Sequence, residues 1–223
     1  QAFRASGLTE LPAGLDLSKG SSFSNTFRDC SSLATIGTGV KLGTASSSVD
    51  FTEAFRSTAL TALPAGLDMS QGSNFSSAFE SCGSLATIGA GVLLGTANAT
   101  ATVNFNSAFY KCTNLAAIPN GLDLSKVNDF QHTFRDCSNL VTLPANLALS
   151  SGGTFYSAFR GCSSLVTFPA GAFDTMGTPL AYCFLNAWDG CSALSGASVD
   201  AILDSIDTSG QSAPGTGPSI TIT

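Results

Sequence analysis

Acid–base and nucleophilic catalysis usually run through a histidine or a carboxylate pair held in a pocket, and this chain has one histidine, His132. It lies between Phe130 and Phe134, at a position that equivalent segments fill with Asn25, Glu53, Ser77, Ser107 and Ser157. Those occupants are polar, so the slot is expected to face solvent and His132 to be a surface histidine. The chain shows no serine elbow, glycine-rich phosphate loop or His/Glu metal pair. The reading is therefore non-catalytic: no enzyme, no metal and no cofactor.

Cysteine is the next residue with chemistry to offer. No C-x-x-C pair occurs, which argues against zinc. Six of the seven cysteines (Cys30, Cys82, Cys112, Cys137, Cys162 and Cys191) fall three residues after an aromatic in successive segments, where two further segments carry Ser6 and Thr58. The expectation is a ladder of small buried thiols. If each sat on a helix, neighbouring copies would stand about 8–10 Å apart, too far for disulfides. Cys183 falls outside the pattern and leaves a Cys183–Cys191 bridge open. Reduced cysteines do not fix the compartment, because burial protects thiols outside the cell as well.

The arginines have the sharpest spacing. All five (Arg4, Arg28, Arg56, Arg135 and Arg160) directly follow the second aromatic of a segment, with Glu80, Tyr110 and Asp189 at the same place elsewhere. A line of guanidinium forks suits carboxylates, phosphates and acidic sugars, which makes these arginines and Tyr110 a candidate binding edge. The alternative is that their stems cover aromatic surface while their heads pair with Asp29 or Asp136. A second candidate surface is the pair of Ser/Thr/Ala-rich insertions around Thr44, Ser46 and Ser47, and around Thr96, Asn98 and Thr100. Two glycosylation-like triplets begin at Asn74 and Asn98; chance accounts for both.

These residues are positioned by a repeat, F-x-x-x-F-x-x-C-x-x-L. Its aromatic pairs are Phe23/Phe27, Phe51/Phe55, Phe75/Phe79, Phe105/Phe109, Phe130/Phe134, Phe155/Phe159 and Phe184/Trp188, with Phe3 the second member of a further pair. Fourteen of 16 phenylalanines occupy these slots, so the repeat explains the aromatic content. Phe, Phe and Cys at i, i+4 and i+7 read as one stripe of an α-helix. Ser22, Asp50, Asn74, Asn104, Asp129 and Thr154 stand before the first Phe as N-cap types. Small residues before the second Phe would let helices approach closely. Segments such as Leu122-Asp123-Leu124 then read as one short parallel strand per unit. A unit of this size cannot bury its own apolar residues, so stacking must create the core. About eight units would span roughly 40 Å.

The expected fold class is thus an α/β solenoid, a leucine-rich-repeat-like stack of about eight helix–strand units with a parallel sheet and a C-terminal capping helix. Its divisions are the solenoid (1–194), a capping helix (195–210) capped by Ser198 with Val199, Ile202, Leu203 and Ile206 on its apolar face, and a linker or edge strand (211–223). The chain opens on Gln1 in mid-unit and is expected to be a processed form or fragment.

The segment from Ala158 to Pro169 (A-F-R-G-C-S-S-L-V-T-F-P) resembles the unit of BspA-type leucine-rich repeats. That resemblance implies a curved solenoid used for adhesion on the surfaces of bacteria and some protists. The segment around Ser195 to Leu203 resembles, over a short stretch, modules of tailed-phage virion and fibre proteins.

Composition narrows the partners. Net charge is −6 without a Lys/Arg cluster, which argues against nucleic acid, and no apolar run of about 18 residues suggests membrane insertion. The expected role is an extracellular recognition or adhesion module, on a bacterial cell surface or virion surface, binding a cell-surface carbohydrate or protein. The competing expectation is a structural subunit that self-associates in a virion, sheath or filament.

Overall fold

A computed structural model describes residues 2–97, 102–147, 149–177 and 183–210. Among the described residues the chain winds as a parallel-sheet solenoid followed by one α-helix, Gly196–Thr208. Strands of two or three residues stack in register from turn to turn. Asp16–Leu17, Lys41–Leu42, Asp68–Met69 and Leu93–Leu94 form one parallel ladder, and Val49–Asp50, Gly72–Asn74, Val103–Asn104 and Val127–Asp129 form a second. Glu10–Leu11 pairs with Thr35–Ile36, and Ala62–Leu63 pairs with Thr87–Ile88. The alternation is the expected one for strands with one buried face: Thr35 and Lys41 are exposed, whereas Ile36 and Leu42 are buried. Gly37 and Gly89 replace the proline of other units for a steric reason. A Cβ on Gly37 would lie 2.4 Å from the Ala13 nitrogen of the adjacent turn, and one on Gly89 would lie 2.5 Å from that of Ala65.

The aromatic segments are not helices, which corrects the helix–strand reading. In a helix each N–H returns to the carbonyl four residues earlier. Here the Phe27 N–H leaves its own unit and donates to the Ala54 carbonyl at 2.9 Å. Phe55, Phe79, Phe109, Phe134 and Phe159 donate likewise to Ala78, Ala108, Thr133, Ala158 and Ala187, at 2.8 to 2.9 Å. Within a unit, Thr26 N–H donates to the Phe23 carbonyl and Cys30 N–H to the Phe27 carbonyl. These are two β-turns in tandem, each with a left-handed third residue, Asn25 (φ 56°) and Asp29 (φ 61°), as type II turns require. Tandem four-residue turns return every fourth side chain to one face, so they reproduce the i, i+4 stripe of a helix.

The residues read as N-caps do their work on these turns. Asp50, Asn74, Asn104 and Asp129 each accept, through a side-chain oxygen, the N–H two residues on, at 2.7 to 3.0 Å. Ser22 and Thr154 do the same at 3.3 and 3.4 Å. The residue type was legible because both structures need the same short acceptor.

The core is built in columns. The second aromatics stack from Phe3 through Phe27, Phe55, Phe79, Phe109, Phe134 and Phe159 to Trp188, with centroids 5.1 to 6.4 Å apart and ring planes within 17°. Beside them runs the cysteine column. Cys30, Cys82, Cys112, Cys137, Cys162 and Cys191 each donate Sγ–H to the carbonyl of the second Phe one unit earlier, at 2.9 to 3.2 Å. All seven cysteines are free and buried, Cys183 and Cys191 included. Helix spacing is not what keeps them apart, since adjacent turns stack at strand distance. Each of the six column thiols is instead committed to a backbone carbonyl of the neighbouring unit, and no disulfide joins them. Burial pushes the thiols of Cys82, Cys112, Cys137 and Cys162 up, and that of Cys183 up to about 11, which suppresses the reactive thiolate.

The last turn is covered by the Gly196–Thr208 helix. Ser195, not Ser198, is its N-cap, accepting the Ser198 N–H at 3.2 Å. Ser198 and Ser205 are buried with Ile202 and Ile206 on the inner face, whereas Leu203 is exposed. The two serine hydroxyls accept the Phe168 and Phe173 N–H groups at 3.1 and 2.9 Å. They thereby replace the carbonyls that a further turn would have offered. The linker or edge-strand assignment for 211–223 lies outside the described residues.

Two stability measurements follow. Phe79→Ala should cost about 3–5 kcal/mol in urea unfolding, because it opens a cavity between Phe55 and Phe109; a loss below 1 kcal/mol would contradict a continuous column. Ser205→Ala should cost about 1–3 kcal/mol by leaving the Phe173 N–H buried without an acceptor, and an unchanged midpoint would contradict the capping role.

Candidate functional site

The turn geometry decides where the arginines go. Each follows the second aromatic and is the second residue of the second turn, so its side chain leaves the core on the outer side of the ladder. Successive copies therefore fall in one line, one rung apart. The structure brings the five arginines and Tyr110 into that common line, but most of the guanidinium groups are already engaged.

In the N-terminal half, cations and carboxylates alternate along the line. Asp29 holds Arg4 at 3.5 Å and Arg28 at 3.3 Å. Arg28 also contacts Glu53, whose carboxylate holds Arg56 at 3.2 Å, and Arg56 reaches Glu80 at 3.0 Å. Arg28 further donates to Asn25 Oδ1 at 3.1 Å. This run of three arginines and three carboxylates is close to neutral, so it presents no open fork to an incoming anion. Of the two sequence readings of the arginines, the paired one describes this half.

The C-terminal half is arranged differently. Arg160 pairs with Asp189 at 3.0 Å. Arg135 meets its one ion-pair partner among the described residues, Asp136, only at 3.9 Å, and lies over the Tyr110 ring at 5.4 Å. Lys111 lies over the same ring at 5.0 Å. His132 packs edge-on against Tyr156 at 5.2 Å. The slot of His132 is partly exposed, as at Asn25, Glu53, Ser77 and Ser107, and not fully solvent-facing as the sequence suggested. His132 is half-buried and Ser157, one rung on, is fully buried, because the left-handed turn residue tucks its side chain against the next turn. Burial, with Arg135 and Arg160 nearby, holds the His132 pKa below the usual histidine value.

Sequence reading missed Glu53, Lys111 and Tyr156 as members of this surface. Glu53 stands three residues before Arg56, within reach across the turn, and its second contact, to Arg28, comes from the adjacent unit.

The described parts of the insertion loops each carry a hydrogen bond to a neighbouring turn. Ser46 Oγ donates to the Gly20 carbonyl at 3.1 Å, and Lys126 Nζ donates to the Thr96 carbonyl at 2.7 Å. Thr44 is half-buried and Ser47 exposed. Asn98 and Thr100 lie outside the described residues. Two cavities are clear of the edge: one of about 390 Å³ at Asp16–Phe23, and one of about 350 Å³ between Asp174 and the helix residues Asp200 and Asp204. Among the described residues no three His, Cys, Asp or Glu side chains come together so as to hold a metal ion. No helix among them is long and apolar enough to cross a membrane.

No known protein-family profile matches the chain, and no curated protein does. Among solved structures, the chain is similar to a leucine rich cell surface protein from Faecalibacterium prausnitzii A2-165. The identity there is 19% over 82% of this chain and 60% of that one, with a TM-score of 0.36. It is also similar to a leucine-rich repeat protein from Bacteroides ovatus ATCC 8483, at 16% identity over 83% of this chain and 77% of that one, with a TM-score of 0.22. The chain thus spans about 60% of the length of the Faecalibacterium protein.

The pairing can be tested through Glu53, which both Arg28 and Arg56 contact. Glu53→Gln should lower stability by about 0.5–1 kcal/mol at low salt and by less at about 1 M NaCl. An equal loss at both salt levels would mean that packing, not charge, holds these side chains.

Proposed function

We propose that this chain is a non-catalytic recognition and adhesion module. In this reading it is an array of about eight BspA-type leucine-rich-repeat-like units, displayed on a bacterial surface or phage virion and binding a carbohydrate or protein on a cell surface. The observation that supports it most is the edge itself. A hydrogen-bonded backbone ladder sets one partly exposed turn position of successive units in a line from Arg4 to Arg160, and so offers an extended surface instead of a closed pocket. Rigidity favours binding, because little order remains to be imposed when the partner arrives.

A second reading is a self-assembling structural subunit. Large apolar side chains stand exposed on the described surface, Leu93 at 38%, Val141 at 42%, Val166 at 40% and Leu203 at 44%. Stacking of one copy on another would cover them.

The deciding experiment is binding of the whole chain to isolated bacterial envelopes and to a glycan array. It is run beside a variant with Arg4, Arg28, Arg56, Arg135 and Arg160 all changed to Gln. Saturable binding that the variant lacks supports recognition through the edge. Binding that the variant keeps moves the contact to the insertion loops around Thr44 and Thr96. No binding, together with concentration-dependent growth in sedimentation velocity, would replace recognition with assembly.

A further inference from the structure

The edge is not uniform, and its one under-satisfied stretch points to a ligand class. Five buried side-chain nitrogen or oxygen atoms among the described residues lack a hydrogen-bond partner, and three of them cluster here: His132 Nδ1, Arg135 Nε and Ser157 Oγ. Arg28 Nε is a fourth, but its guanidinium is already held by Asn25, Glu53 and Asp29. The contrast between equivalent positions is informative. The residue three before each arginine offers an oxygen at Asn25 and Glu53, and Arg28 and Arg56 donate to it. At Arg135 that position is His132, an imidazole with no bond to the guanidinium. Native proteins rarely leave buried polar atoms unpaired, so three in adjacent rungs call for an explanation.

We propose that Tyr110, His132, Arg135, Tyr156 and Arg160 bind a carboxylate-bearing polysaccharide laid along the solenoid axis, with a carboxylate at Arg135 and His132 and sugar rings on the tyrosines. The proposal rests on the recognition reading above and narrows it to one segment and one chemistry. A carboxylate matches the guanidinium fork and accepts from it with charge assistance. The apolar C–H face of a pyranose suits the negative face of a tyrosine ring. Tyr110, Arg135 and Arg160 repeat at the rung spacing, which is close to the length of one sugar unit, with His132 and Tyr156 beside them, so an extended chain meets one of the three on each rung. Neighbouring amides add neutral donors: Asn106 and Gln131, joined at 3.3 Å, stand with Tyr156 at the position after the first aromatic, in a line beside that of the arginines.

An acidic peptide fits less well. An extended peptide gains most of its affinity by adding a strand to an open sheet edge. Here the backbone is occupied: Lys111 N–H donates to Arg135, His132 N–H to Tyr156 and Asp136 N–H to Arg160. A glycan needs only side chains.

Calorimetric titration of the whole chain with a galacturonic acid hexamer, its methyl ester and hexaglutamate tests this. The acid hexamer should bind, with the methyl ester weaker by roughly tenfold or more. Arg135→Gln, and His132→Asn, which installs the residue found at Asn25, should each weaken binding by roughly tenfold. Arg56→Gln should leave it within about twofold. Thermal unfolding by circular dichroism confirms that the variants fold, and the ring signals of the chain's one histidine should move with the acid hexamer alone. The proposal falls if the acid hexamer gives no binding, if hexaglutamate binds as tightly, or if Arg56→Gln weakens binding as much as Arg135→Gln. Envelope binding that persists without hexamer binding would sink this assignment and leave the recognition reading standing.

Discussion

Everything in this molecule depends on a backbone N–H that cannot be satisfied at home. The second Phe of each unit sits in a turn whose geometry sends its amide outward, and only the next unit offers the carbonyl. A single unit would leave that donor unpaired and its aromatic pair half in water, at a cost comparable to the whole stability of a small domain. Stacking removes both penalties together. The phenylalanine columns, the thiol column and the short strands are consequences of that register. The ring stacking adds about 0.5–1.5 kcal/mol for each well-placed pair.

The same register has an electrostatic consequence. Because equivalent positions recur one rung apart, a charge after the second aromatic meets residues of the neighbouring rungs, at the same or at flanking turn positions. Arg4, Arg28 and Arg56 meet Asp29, Glu53 and Glu80 and are neutralised within the fold. Tyr110 breaks the alternation. Beyond it the arginines have fewer partners and the aromatics are polar, which is the composition of recognition hot spots rather than of structural ion pairs. Function is therefore sought where the repeat is least regular.

The end of the array shows what the ladder requires when it stops. The last turn exposes amides that have no further unit to meet, and the helix supplies Ser198 and Ser205 hydroxyls in its place. An apolar helix face alone would have covered the rings and left those amides unpaired. The inner face is accordingly a mixture of Ile202, Ile206 and two serines, which is why its apolar pattern in sequence is modest and why Leu203, expected inside, points to solvent.

The sequence by itself determined the repeat, the buried slots, the thiol column and the presence of a C-terminal helix. Each of these is written in residue type: Phe, Cys and Leu recur where solvent is excluded, and Asp, Asn and Ser recur where a nearby N–H needs an acceptor. It could not distinguish helix from tandem turns, since a period of four and one of 3.6 coincide over eight residues. The turn-prone residues at the left-handed positions, Asn25, Asp29, Asp136 and Gly161 among them, were the available signal, but Glu53, Lys111 and His132 in the same positions obscured it. Only the tertiary structure decided which arginines are occupied. Ion pairing depends on which side chains the stacking brings within about 4 Å, and residues such as Arg28 and Glu53 meet through a register that no local pattern encodes.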